Sequence, residues 1–522
     1  MKNESIVDEK TNKSIDKSDA AALVPDGPRW TPKQLEAIER RKENLLVAAA
    51  AGSGKTSVMV ERVKRMVCDE GIPVEDILVV TFTNAAAAEM KDRIRKALID
   101  AVDAEDPNTD RSRKLREQIR NLPLAQISTF HAFGMSVIKR FFYLTDMDPG
   151  TRVGEETEFA ILKENALDAL LEEEFEKAEP SFIEFMDNYS GDRSDYKVRM
   201  LILDAAGKIY AMPHGMDWAY DRVKEMEDIR NSFGETGLWR ILKEDIGAKL
   251  EKAIALTKRA ADILCDAGID EKAEQLRAEE IAKYEEVLAI FGSTRSAEEI
   301  MKEASTILNA KIPNLTAPKG ELAEVYKSIQ SSFQGPRDEA RKIIRTELVK
   351  PYFASDISDL FTEVELDAVP LKELLRLVER FTELYAEEKR DAGLMDFDDI
   401  ERYTFAILEN DEACEYYRSR LKYIFVDEYQ DTNLMQEAII SRIKGSDNLF
   451  MVGDIKQSIY KFRLAEPSIF QGKYERFKSG EEESSAVVDL NRNHRSKKTI
   501  VDFINGIFRP HMAGYDKDAE LY

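Results

Sequence analysis

The sequence predicts an α/β protein in which an open parallel sheet is interrupted by a large all-helical insertion, and three observations carry that reading. Two stretches, roughly 28–150 and 390–510, hold short apolar runs that stop at polar or glycine-containing residues and lead into helix-forming sequence. One of those runs meets its helix through a glycine-rich turn, Gly52-Ser53-Gly54. Between about Glu155 and Glu388 the pattern changes, with apolar residues recurring at helical spacing in EFAILKENALDALLEEEFEKA and LKELLRLVERFTELYAEEKR. Gly191, Gly247, Gly320 and the PNLTAPKG stretch are expected to mark turns between these helices.

The strand-like runs are NLLVAAA, DILVVTFTN, LAQISTFHAF, YIFVDEYQD and NLFMVGDIKQ. In each, the polar residues sit at the C-terminal end. In an open parallel sheet those ends line one crevice where ligands bind, so motifs far apart in sequence are expected to converge.

Composition bounds the rest. A chain of 522 residues suits two or three domains. Hydrophobic residues at 43% and charged residues at 34% fit globular domains with exposed charged helix rather than a disordered or membrane chain. No apolar run approaches the ~20 residues of a spanning helix. Residues 1–25 are polar, mixed in charge and without an apolar signal core, and read as a disordered leader. Cys68, Cys265 and Cys414 are too far apart for a disulfide framework or a zinc site, which points to a reduced, cytoplasmic setting. The net charge of −24 argues against nonspecific coating of nucleic acid while leaving room for a local basic groove.

AAAAGSGKT has the strand, loop, helix context of a phosphate-binding loop, because the apolar run precedes it and SVMVERVKRMV follows. Around Ala51, Gly52, Ser53 and Gly54 the backbone can curl so that N–H groups and a helix N-terminus face phosphate oxygens. Lys55 then reaches the β/γ phosphates and Thr56 ligates Mg²⁺. Ala49 replaces the first glycine of the general pattern, while the tight geometry resides in the glycines that remain.

Tyr423-Ile424-Phe425-Val426 runs directly into Asp427-Glu428. Two carboxylates at the exit of a buried strand suit phosphoryl transfer, with Asp427 on the metal and Glu428 orienting or deprotonating water. Gln457 lies about one turn beyond Gly453-Asp454 and is placed to sense a γ-phosphate. The following Ser458-Ile459-Tyr460-Lys461-Phe462-Arg463 interleaves aromatic and basic residues as a single-strand binding surface does. Phe82 and Asn84 put an aromatic ring and a hydrogen-bonding group after another strand, where Thr83 or Asn84 also suits a helix cap.

The ordered set WTPKQLEAI, AAAAGSGKT, TFTNAAAAEM, STFHAF, VDEYQDT, VGDIKQSIYKFR and LNRNHRS resembles the motif series of superfamily 1 DNA helicases of the UvrD/Rep/PcrA type. The Ala-rich approach to the loop, the acidic helical middle and GLMDFDDI most resemble the AddA subunit of AddAB helicase-nucleases. The motifs span Trp30 to Ser496. The resemblance implies RecA-like P-loop domains using ATP and Mg²⁺, with Gln34 reading adenine and Gln457 and Arg495 on the γ-phosphate. It implies Phe82, His131, Tyr460 and Phe462 along a single-stranded DNA path, with Arg463 linking that path to the nucleotide. His494 stands where many relatives stack a Tyr or Phe on adenine.

The organisation expected on this basis is a first RecA-like segment at 26–153, a helical insertion at 154–388, a second segment at 389–485, and the start of a truncated second RecA-like domain at 486–522. The implied activity is a 3′ to 5′ DNA helicase or translocase motor in recombinational repair of double-strand breaks, acting on single- and double-stranded DNA beside an AddB-type partner and without a membrane. The alternative is an ATP- and DNA-binding module unable to unwind alone. A small-molecule kinase fits less well, having no use for an aromatic and basic track.

Overall fold

The computed structural model describes residues 30–148, 150–191 and 194–511, and the leader expected over residues 1–25 lies outside them. Among the described residues the strands are, in chain order, β1 (Asn44–Ala49), β2 (Ile77–Thr81), β3 (Gln126–Thr129), β4 (Arg152–Val153), β5 (Leu394–Met395), β6 (Tyr423–Val426), β7 (Leu449–Gly453) and β8 (Ser485–Leu490). The chain forms two compact units. One takes in the parts up to Pro149 and from Phe397, and the other is Gly150–Asp396.

The first unit is built on a six-stranded sheet in the order β3-β2-β6-β7-β1-β8, parallel throughout. Val, Ile and Leu runs make such strands because their branched side chains fill both faces under helical cover. Every residue of β2 and β7 is buried. Helices α1 (Pro32–Glu39), α2 (Lys55–Cys68) and α3 (Asn84–Asp103) contribute Ala37, Ile38, Met59, Val63, Met90 and Ile94 to one core with Leu45, Val47, Val79, Phe425 and Phe450. β6 and β7 slot between β2 and β1, so the C-terminal ends of four strands distant in sequence share one edge.

β8 alternates between half-buried and buried positions, as an edge strand with one covered face does. It pairs with β1 from Asn44↔Ser485 to Ala49↔Leu490, so the boundary expected between 485 and 486 falls inside this strand.

The second unit is helical apart from the parallel β4–β5 pair, in which Arg152 faces Leu394 and Val153 faces Met395, bringing its two ends side by side. Its longest helices are Gly237–Asp266 and Ile357–Asp391. Gly247, expected at a turn, lies inside the first of these. The strong helix formers around it outweigh the ~1 kcal/mol that one glycine costs. Two apolar clusters organise the unit, one including Leu250, Tyr284 and Phe333 and the other Leu170, Ile202 and Val378. Among the described residues no helix is long and apolar enough to cross a membrane.

Candidate functional site

The loop between β1 and α2 needs its glycines. Gly52 has φ 72° and Gly54 φ 89°, a left-handed backbone that side chains resist. A Cβ on Gly52 would also stand 2.8 Å from Asn493 Oδ1. Gly54 caps α2 without a side-chain acceptor, which leaves the first N–H groups of that helix available to an anion. Lys55 and Thr56 are its first two residues.

The residues after β8 close over this loop. His494 N donates to Gly52 O at 2.8 Å, and Asn493 Nδ2 donates to Ala51 O at 2.9 Å. Asn493 Oδ1 accepts from the backbone N–H groups of Arg495 and Ser496, fixing the turn that carries Arg495 beside Gly52. On the far side Thr31 and Gln34 form a reciprocal cap at the start of α1, and Gln34 Nε2 donates to Ser53 O at 2.8 Å. Thr31, Gln34, Ser53, Leu490, Arg492 and His494 line a cleft of about 570 Å³. Gln34 thus ties α1 to the loop between β1 and α2 as well as facing the cleft.

At the exit of β6, Asp427 donates its backbone N–H to Val80 O, and its carboxylate accepts from Glu428 N. Burial and the neighbouring Glu428 charge push the Asp427 carboxyl up to about 6. Glu428 is held at φ 49°, a left-handed conformation that costs a non-glycine residue energy. Its Oε2 receives Lys55 Nζ at 3.2 Å and Gln430 Nε2 at 3.0 Å. The glycine-rich loop and the acidic strand end therefore touch. Gln457 Nε2 donates to Asp454 Oδ2 at 2.8 Å just past β7.

Beside these groups stands an aromatic cluster. Phe82, at the end of β2, packs on Tyr460 with ring centroids 4.6 Å apart, and Tyr460 packs on Phe462 at 5.8 Å. The Arg463 guanidinium lies 5.7 Å from the Phe82 and Tyr460 centroids and 6.0 Å from that of Phe462. Phe462 is 77% exposed, so the face of its ring is open to solvent. Asn84 is the exposed first residue of α3, and Thr83 is the cap, its Oγ1 accepting from Ala86 N. The His131 ring lies tilted against Phe397, with centroids 4.8 Å apart, and its Nε2 is 3.3 Å from Glu401 Oε1.

Three buried or half-buried polar residues escaped the motif reading, namely Asn493, Gln430 and Asp454. Each sits inside a quoted motif, but its role depends on which distant strand end it meets.

Sheet and helices together define an α/β protein built on a parallel six-stranded sheet. The family model for the UvrD/REP helicase N-terminal domain matches residues 30–478. The chain is 36% identical over 507 residues to an ATP-dependent helicase/nuclease subunit from Alkaliphilus oremlandii, covering 95% of this chain and 41% of the relative. It is 37% identical over 531 residues to the protein of that name from Bacillus cereus strain AH187, with 95% and 41% covered. For the Syntrophomonas wolfei relative of the same name the identity is 33% over 506 residues, with 94% and 39% covered. The chain belongs to the UvrD/REP helicase N-terminal domain family, and it spans about two fifths of the length of these relatives.

Proposed function

We propose that the chain is the ATP-hydrolysing motor portion of a DNA helicase. One sheet edge carries both the phosphate loop and the aromatic–arginine cluster, and this observation supports the reading most strongly. Lys55 and the N–H groups at the start of α2 bind the phosphates, while Gln34 and His494 border the base. Thr56 and Asp427 would hold Mg²⁺, a hard cation that takes one or two protein oxygens together with phosphate oxygens. When bound, that ion neutralises charge developing on the phosphates. Glu428 orients and deprotonates the attacking water, and Gln457 and Arg495 bind the γ-phosphate. Phe82, Asn84, His131, Tyr460, Phe462 and Arg463 border single-stranded DNA, whose bases stack on aromatic faces without sequence readout.

The finer statements rest on the motif resemblance and on the relatives' names. They are a RecA-like domain, 3′ to 5′ movement, a cytoplasmic setting, and service at double-strand breaks beside an AddB-type partner. The two sites are tested by hydrogen exchange on the 522-residue chain. Mg²⁺-ATP is expected to protect the segment around Gly52–Thr56, and oligo(dT) the segments around Phe82 and Tyr460–Arg463. Protection confined to other segments refutes the assignment.

A further inference from the structure

Gln430 is 2% exposed, and both ends of its side chain are used. Oε1 accepts from Asp454 N at 2.9 Å, and Nε2 donates to Glu428 Oε2 at 3.0 Å and to Asp431 Oδ2 at 3.1 Å. Its own carbonyl accepts from Ser458 Oγ at 3.3 Å. The amide therefore bridges the exits of β6 and β7. Its far end reaches the same Glu428 oxygen that Lys55 approaches.

The fold makes room for this bridge. A Cβ on Gly453 would collide with Gln430 Oε1 and stand 3.1 Å from its backbone nitrogen. Glycine at the last position of β7 lets the amide cross the strand end. Only a primary amide fits the pattern, because one end must accept from a backbone N–H while the other donates to two carboxylates. Glutamate loses the donor, and methionine loses both ends.

Beyond the bridge, Asp454 holds Gln457 Nε2 and Lys456 N, and the segment continues through Ser458 to Tyr460 against Phe82. We propose that Gln430 is a positioning residue that couples Glu428 to the β7-exit segment bearing Tyr460, Phe462 and Arg463. A strand seated on the aromatic cluster then acts on Glu428 through two hydrogen bonds and one rigid amide. This rests on the proposed function, which supplies ATP and single-stranded DNA as the two ligands.

Coupling between two sites is a reciprocal affinity ratio, so it can be read without turnover. The affinity of the 522-residue chain for a fluorescent non-hydrolysable ATP analogue is measured with and without saturating oligo(dT). The unsubstituted chain is expected to show a shift of about fivefold or more. Gln430→Met and Gln430→Glu are expected to bring that ratio to within about twofold of unity while each ligand alone still binds, with kcat for hydrolysis lowered more than KM is changed. Gly453→Ala displaces the amide from the other side. It should give the same loss, and carries the test if the Gln430 variants melt early. Full linkage in Gln430→Glu means the residue merely tethers β7, and full linkage in Gln430→Met or Gly453→Ala removes the bridge altogether; either result overturns the inference. No linkage in the unsubstituted chain overturns the proposed function itself.

Discussion

Replacing Glu428 by Gln should move nucleotide binding and hydrolysis in opposite directions. The Lys55 ammonium lies 3.2 Å from Glu428 Oε2, so ATP must draw Lys55 away from that carboxylate. At this separation Coulomb's law gives about 1 kcal/mol in water and about 5 kcal/mol at an effective dielectric of ~20. The Glu428 side chain is 38% exposed, which places the pair near the solvent-screened limit. Pairs of that kind measure about 0.2–1 kcal/mol. Glu428→Gln should therefore tighten Mg²⁺-ATP binding by about 1.4- to 5-fold, with relief of carboxylate–phosphate repulsion acting in the same direction. Removing the base should at the same time lower kcat by about 10²- to 10⁴-fold. Calorimetric titration reads the first effect and single-turnover hydrolysis the second. Binding weakened tenfold, or turnover undiminished, refutes the reasoning.

Lys55→Ala should weaken Mg²⁺-ATP binding by about 10- to 150-fold, the loss of one charge-assisted contact worth about 1.5–3 kcal/mol, as read by the same titration. Phe462→Ala removes an exposed stacking face worth about 1–3 kcal/mol per base, so oligo(dT) affinity should fall in fluorescence anisotropy while nucleotide affinity holds. In the helical unit, the Arg376 side chain beside fully buried Glu174 lowers that carboxyl below its usual 4.5. A lowered acid stabilises the fold above its ordinary value and loses that contribution as pH falls through the folded one, so acid unfolding should set in below 4.5. Glu174→Gln should cost about 1–3 kcal/mol near neutrality, when half-buried Arg376 loses one of its two carboxylate partners, and should flatten the acid limb of urea-melt stability.

The strand ends were legible because each function needs a specific residue type beside an apolar run. Lys55, Asp427, Gln457 and Tyr460 could therefore be placed before any pairing was known. What pairs with what was less visible. β8 reads as an ordinary alternating run, and nothing local says that it lies along β1 in the same sheet. Gly247 looks like a turn until the helix formers on both sides are weighed together. The buried amides were the hardest. Gln430 meets Asp454 N across 24 residues of sequence and Asn493 meets Ala51 O across 442, so their roles exist only once the sheet brings those ends together. The contacts of the His131 ring with Phe397 and Glu401 were equally hidden, because they depend on how the helix Phe130–Arg140 meets the helix Phe397–Glu409.

Steady-state ATP hydrolysis by the 522-residue chain, with and without oligo(dT), tests most directly whether one sheet edge joins nucleotide chemistry to a DNA track. The expected result is a rate that rises several-fold with the oligonucleotide and collapses in Glu428→Gln. A rate indifferent to DNA, and equal in Glu428→Gln, would contradict it.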